Sequence, residues 1–252
     1  MVKLWAVTDI GLVRKENQDA YATVQETAAG YTICVVCDGM GGHNAGSTAS
    51  ALTVSELAKR IKKGYRKVSR ANFLRNLMMS SIEAANTIVY ESAKENPQME
   101  GMGTTCVAAI IENDVVYMIN VGDSRAYVIR GNEIQQITED HSVVGNLIAQ
   151  GKMTEEEAKY HPQRNVITRA VGIKDTVLAD YYEFDIEKGD IILLCSDGLC
   201  GYCNEETMVK IVSEHDIETA VNMLSDTALA NGSTDNITVV LILNDAGDDS
   251  DE

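Results

Sequence analysis

Thr104-Thr-Cys-Val-Ala-Ala-Ile-Ile-Glu-Asn-Asp-Val-Val-Tyr-Met-Ile-Asn-Val-Gly-Asp-Ser-Arg-Ala-Tyr-Val-Ile-Arg130 is the stretch on which the fold turns. Its apolar runs 104–111, 115–121 and 126–130 are rich in β-branched and aromatic residues and read as strands. Only a few polar residues separate them, and Glu112-Asn113-Asp114 and Arg130-Gly131-Asn132 have hairpin chemistry. Links this short return the chain antiparallel to itself, so the middle of the sequence reads as an antiparallel meander. A doubly wound parallel sheet is excluded.

Further strand-like runs lie outward at 4–8, 31–37, 181–184, 190–195 and 237–243. Helical periodicity marks 45–63, 71–94, 205–214 and 217–230, with Leu74, Leu77, Ile82, Ala85 and Val89 recurring at three or four. The helices come in pairs, one after the early strands and one before the last, which predicts an α+β fold with helix layers outside antiparallel sheet. A shorter helix is expected at 143–150, broken at Gly151 before a capping box that begins at Thr154. The segment around 145–172 stands apart from the sheet pattern.

With 252 residues, 45% of them hydrophobic, the chain can bury a real core. No linker or repeat divides it, so residues 1–244 are expected to form one domain. Residues 245–252 carry five carboxylates and almost nothing apolar, and read as an acidic disordered tail. The formal charge of −17 opposes condensation on nucleic acid or on anionic lipid. No apolar run reaches the roughly 18 residues of a membrane helix, and Asp9, Arg14, Lys15, Glu16 and Asp19 break up any signal peptide, so a cytoplasmic protein without membrane insertion is expected. Six cysteines, four of them in apolar runs, fit buried thiols of a reducing compartment. The Cys34/Cys37 spacing is a poor zinc site, because residues three apart on a strand face opposite ways.

Three apolar strands end in aspartate followed by a small residue: Asp38-Gly39, Asp123-Ser124 and Asp197-Gly198; Asp235-Asn236 opens a fourth. A single Asp-Gly is a turn signal. Four of them at strand ends of one sheet system would form a cluster, with Arg125 the only cation within two residues of any. At 5 Å and an effective dielectric near 20, each pair repels by about 3 kcal/mol. Such a cluster calls for divalent cations, and an all-oxygen donor set selects Mg²⁺ or Mn²⁺. Near the N-terminus, Arg14 offers a fork matched to phosphate oxygens, and Asp19 offers a further carboxylate for metal-bound water.

Together and in order, 11–19, 37–43, 101–105, 121–125, 138–142, 195–199 and 234–238 resemble the bacterial form of the PPM (protein phosphatase type 2C) metal-dependent Ser/Thr phosphatases. The resemblance spans about 4–243. It implies a four-layer α-β-β-α sandwich of two antiparallel sheets flanked by helix pairs, with 145–172 as a flap carrying His161 and Arg169. It also implies two catalytic Mn²⁺ or Mg²⁺ ions: Asp38 bridges both, the Gly39 carbonyl serves the first, Asp197 and Asp235 the second, and Asp19 acts through water. A third ion would take Asp123 and Asp197, and Arg14 would hold the substrate phosphate.

The implied reaction is hydrolysis of phosphoserine and phosphothreonine by direct attack of a hydroxide bridging the metals. No Cys-x₅-Arg loop is present, and no Asp-x-Asp phosphoaspartate motif precedes the acidic tail, in keeping with that route. Met40 stands where many eukaryotic relatives have a proton-donating histidine; His43, His161 and metal-bound water are the alternatives. The implied partners are phosphorylated proteins, including a cognate Ser/Thr kinase, and the chain is expected to be a monomer.

Rival readings carry less. The glycine-rich 39–46 has Asn44 where a dinucleotide loop needs its third glycine, lacks Gly-Lys-Ser/Thr, and would set Asp38 against the phosphate. A non-catalytic regulatory module on the same fold should have lost ligands, whereas Arg14, Asp38, Asp123, Asp197 and Asp235 are all kept. The basic stretch 59–70 reads as a solvated helix end, or as a dock for an acidic partner or a kinase.

Overall fold

The computed structural model describes residues 2–42, 45–67 and 71–245. His43, the 68–70 end of the basic stretch and residues 246–252 of the expected tail lie outside the described residues. Two antiparallel sheets make up the centre. In the first, the spatial order is β1 (Val2–Asp9), β11 (Ile237–Asn244), β10 (Ile191–Cys195), β7 (Arg125–Arg130) and β8 (Glu133–Gln136). In the second it is β2 (Asp19–Glu26), β3 (Tyr31–Met40), β5 (Cys106–Glu112), β6 (Val115–Val121) and β9 (Asp180–Asp185), with the two-residue β4 (Gly103–Thr104) paired to the end of β3. Helices α1 (Ala45–Gly64) and α2 (Ala71–Glu95) cover the second sheet; α6 (Glu205–Glu214) and α7 (Ile217–Ala230) cover the first. The short helices are α3 (Val143–Ala149), α4 (Glu155–Ala158) and α5 (Asp197–Cys200).

Alternation along the strands builds the four layers. In β3, Ile33, Val35 and Cys37 pack towards the helices, while Cys34 and Val36 pack between the sheets. In β11, Val239 and Leu241 pack towards α6 and α7, and Val240 and Ile242 meet the facing sheet. Both faces of these central strands are buried, so they read as continuous apolar runs. All six cysteines are free, and five are buried.

The expected meander is corrected at one link. β5 and β6 form a hairpin, with Glu112 opposite Val115 and Asn113 at φ +54°, and β7 and β8 form another. Between β6 and β7, however, the chain steps from one sheet to the other. Gly122, at φ +106°, begins the step, and it leaves Asp123 at the junction of the two sheets. The run 104–111 is also divided at Thr105, whose N–H donates to the Asp38 carbonyl at 2.8 Å and whose Oγ1 accepts the Asp38 N–H at 2.9 Å. Sequence reading passed over β2 and β8, which are both edge strands with one side half in water and therefore no unbroken apolar run.

At the sheet end opposite the aspartate cluster, Asp190 is 1% exposed. Arg130 grips it through Nε at 2.8 Å and Nη2 at 2.6 Å, and the Glu187 N–H donates to it at 2.7 Å. Burial pushes the carboxyl up, but these donors win and hold it below the ordinary carboxylate range. A depressed folded-state pKa gives stability that is present above the unfolded value and is lost as pH falls through the folded one. Asp190→Asn should therefore cost about 1–3 kcal/mol at neutral pH, measured by urea unfolding. The gap to wild type should narrow as the medium is acidified below the ordinary carboxylate range, and a gap independent of pH would contradict the assignment.

Candidate active site

Five aspartates converge at one end of the sandwich. Asp19, the first residue of β2, stands directly opposite Asp38 of β3 in the strand register. Asp197 opens α5 after β10, Asp235 precedes β11, and Asp123 follows β6. Asp38, Asp123, Asp197 and Asp235 are each partly exposed, so the cluster faces solvent, while Asp19 lies deeper.

Backbone geometry fixes the group. Gly39 donates its N–H to the Gln18 carbonyl at 3.0 Å, and a Cβ there would lie 2.1 Å from the Gly46 carbonyl oxygen, so only glycine lets β3 pass the start of α1. Gly198 is constrained in the same way, its absent Cβ standing 1.9 Å from the Asn236 carbonyl oxygen. A hydroxyl chain links the layers: Asp19 Oδ2 accepts from Ser196 Oγ and from Thr238 Oγ1, both at 2.7 Å, and Ser196 Oγ in turn accepts the Thr238 N–H at 2.9 Å. A second chain runs from Ser124 Oγ to Thr105 Oγ1 at 2.7 Å and on to the Asp38 N–H.

The electrostatics are those of crowded anions. Burial, then the charges of Asp19, Asp197, Asp123 and Asp235, push the Asp38 carboxyl well up. Asp19 is pushed up to about 7 by burial, against the pull of its two hydroxyl donors. Burial and Asp197 push Asp123 up to about 7. Asp197 is raised to about 6 by burial and Asp235, with a hydrogen bond from Asp38 opposing. Each of these shifts means that the protein makes the anion less stable than water does.

Among the described residues, Arg14 brings a direct cation, its Nη2 donating to Asp235 Oδ2 at 2.6 Å with about half of the side chain exposed. Arg125, the cation nearest in sequence, is not spent on Asp123. It forms a fork with Asp140, with Nε to Oδ1 at 2.9 Å and Nη2 to Oδ2 at 2.7 Å.

A divalent cation suits this arrangement. The side-chain donors are all carboxylate oxygens, and the buried Asp19 Oδ1 and Asp197 Oδ1 have no hydrogen-bond partner. Among the described residues, no three His, Cys, Asp or Glu side chains are already drawn up as a metal-holding group. Arg14 instead takes up Asp235 Oδ2.

The flap residues bond to groups other than the five carboxylates. His161 Nδ1 accepts the Gln163 N–H at 3.1 Å within its own turn. Arg169 reaches Asp180 Oδ1 at 2.7 Å, at the base of the segment where Thr168 donates to the His141 carbonyl. Most of the basic stretch serves its own surroundings: Lys59 and Arg60 pair with Glu56, Lys62 with Glu26, and Arg66 donates to the Lys63 and Tyr65 carbonyls at the end of α1.

Sequence reading gave no part to Ser196, Thr238, Thr105 or Asn236. Ser196 and Thr238 flank Asp197 and Asn236 by one and two positions, but a buried hydroxyl in a strand carries no signal until its partner is known. Asn236 does the most. Its Nδ2 donates to the Ile10 carbonyl at 2.8 Å and to the Glu16 carbonyl at 3.0 Å, and its Oδ1 accepts the Gln18 N–H at 2.8 Å, closing the loop that carries Arg14.

Residues 13–237 match the family model described as protein phosphatase 2C. The chain is 38% identical over 239 residues to protein phosphatase PhpP of Streptococcus pneumoniae, covering 94% of this chain and 95% of the relative. It superposes on serine/threonine phosphatase Stp1 from Staphylococcus aureus with a TM-score of 0.90 at 38% identity, over 96% and 95% of the two chains. A catalytic domain of the serine threonine protein phosphatase PstP, in complex with two manganese ions, superposes with a TM-score of 0.83 at 30% identity, over 96% and 97%.

Asn236→Ala should open the 10–18 loop. The expected result is faster amide hydrogen exchange confined to residues 10–18 and a loss of about 1–3 kcal/mol in unfolding free energy. Unchanged exchange in that segment would show that the three bonds do not hold it.

Proposed function

The chain belongs to the protein phosphatase 2C family, and we propose that it removes phosphate from phosphoserine and phosphothreonine in proteins by metal-assisted hydrolysis at the aspartate cluster. The observation that carries this is the meeting of Asp19, Asp38, Asp123, Asp197 and Asp235 at one solvent-facing sheet end, beside Arg14. Asp38, the Gly39 carbonyl, Asp197 and Asp235 would hold two Mn²⁺ or Mg²⁺ ions. Asp19 would act through water, and Asp123 with Asp197 would hold a third ion. When bound, such ions supply an activated water and positive charge opposite the phosphoryl group.

The chain's own residues set the rest of the stage. Arg14 is anchored on Asp235 by one nitrogen, so its guanidinium stands at the cluster's rim, where a phosphate dianion meets a planar fork. The Asn236 clamp fixes the loop that presents it. Asp19, tied by Ser196 and Thr238, keeps a carboxylate behind Asp38, where it can orient water. Of the described histidines, His141 bonds to Gly122 and Asp180, His161 to Gln163 and His215 to the Ile211 carbonyl, so the leaving alcohol's proton is not assigned to an imidazole.

The reading as a non-catalytic module is set aside, since the proposed ligands are all present in the sequence and the relatives are named phosphatases. Phosphoproteins are the proposed substrates, with a Ser/Thr kinase as the natural counterpart, and the protein is taken to act in the cytoplasm as a monomer. Among the described residues, no helix is long and apolar enough to cross a membrane.

The test measures phosphate release from a phosphothreonine peptide and from p-nitrophenyl phosphate. Turnover should require Mn²⁺ or Mg²⁺ and vanish with EDTA. Asp38→Asn should lower kcat by at least about 10²-fold, and Arg14→Ala should lower kcat/KM on the peptide by about 10²-fold. Turnover that is indifferent to metal, or to Asp38, would end the reading.

A further inference from the structure

His141 lies outside the carboxylate cluster, is 4% exposed, and directs its backbone N–H and its ring Nδ1 at one glycine. Its backbone N–H donates to the Gly122 carbonyl at 2.9 Å, and its ring Nδ1 accepts the Gly122 N–H at 3.1 Å. One residue thus grips both polar groups of Gly122. Asn120 adds a weaker hold, its Nδ2 lying 3.3 Å from the same carbonyl. Gly122 is at φ +106°, and a Cβ there would come within 2.6 Å of the Thr105 side chain, so the turn is open to glycine alone. The residue it turns into is Asp123.

The ring's other nitrogen settles its tautomer. A nitrogen that accepts an N–H carries no proton, so in the neutral ring the proton is on Nε2. Nε2 then donates to Asp180 Oδ2, 2.9 Å away, while Arg169 Nη1 donates to Asp180 Oδ1 at 2.7 Å. Arg169 Nη1 also lies 3.0 Å from Nε2, which in this tautomer has no lone pair to accept its proton, so Asp180 serves both donors. Asp180 faces His141 and Arg169 across the base of the flap segment, and Tyr182 fixes the neighbouring Glu139 N–H at 3.1 Å.

We propose that His141 is a positioning residue: locked as the Nε2–H tautomer by Asp180, its Nδ1 holds the sheet-to-sheet step at Gly122 and so aims Asp123 at the ion it would share with Asp197. The proposal rests on the reading of Asp123 as a metal ligand. It separates His141 from the leaving-group acid and from substrate contact, and it gives the Thr138–Ser142 motif a task that the carboxylate cluster does not account for.

Two near-isosteric substitutions divide the ring's two bonds. His141→Asn sets an amide oxygen where Nδ1 was and keeps the acceptor for Gly122. His141→Gln sets an amide nitrogen where Nε2 was, keeps the donor for Asp180 and loses the acceptor. Mn²⁺ titration of the full chain, followed by the electron paramagnetic resonance of free Mn²⁺, gives the number and affinity of bound ions without turnover. Amide hydrogen exchange reports on residues 120–124.

The expected result is that His141→Gln weakens the weakest Mn²⁺ site by about 10–100-fold and speeds exchange at Gly122, while His141→Asn stays near wild type in both. Asp180→Asn, which keeps the ring but removes its anionic partner, should speed exchange at Gly122 in the same direction. If Asn and Gln weaken Mn²⁺ binding equally, or neither changes it, the role of His141 is overturned. Wild-type protein that binds no Mn²⁺ removes the metal reading itself, a different failure.

Discussion

The structure depends on holding several carboxylates closer together than they would stand in water. Asp38 feels Asp19, Asp197, Asp123 and Asp235, and each neighbour raises the cost of its negative charge. A loop could not maintain such a group against its own repulsion. Rigid ends of strands can, and every one of the five lies within a strand of the sandwich or two positions from one. The glycines at 39 and 198 let backbones approach where a side chain would collide, and buried hydroxyls supply hydrogen bonds between the layers.

Function follows from the crowding. A site that makes anions unstable is ready to receive hard cations, and the same surplus charge explains how one exposed arginine is held at the rim. Arg125 is paired with Asp140 nearby, and its charge still pulls the Asp123 and Asp197 carboxyls down. The phosphatase relatives, aligned over nearly the whole chain, and the manganese-bound PstP domain are consistent with that economy of charge.

Much of this was legible in the sequence, and the limits have physical causes. Central strands such as β3, β5 and β11 are buried on both faces, and their apolar runs could be read directly. Asp38, Asp123, Asp197 and Asp235 announced themselves by ending or opening such a run, whereas Asp19 opens an edge strand. The edge strands β2 and β8 are half polar and gave no comparable sign. The step between sheets at Gly122 was read as part of one meander because sequence records the length of a link and not the layer to which it leads. Long-range hydroxyl and amide partners, such as Ser196 with Asp19 across 177 positions, have no local signature at all. The resemblance supplied the number of sheets and the ligand roles, which composition and periodicity alone did not contain.

Asp19 belongs to one sheet, while the hydroxyls that hold it, Ser196 and Thr238, belong to the strand ends of the other. That tie works as a rivet through the sandwich at its business end. A breathing motion that parts the layers must draw this rivet, and in doing so it separates Asp19 and Asp38 from Asp197 and Asp235. Structural integrity and the assembly of the carboxylate cluster are therefore coupled here: what parts the layers also takes the cluster apart.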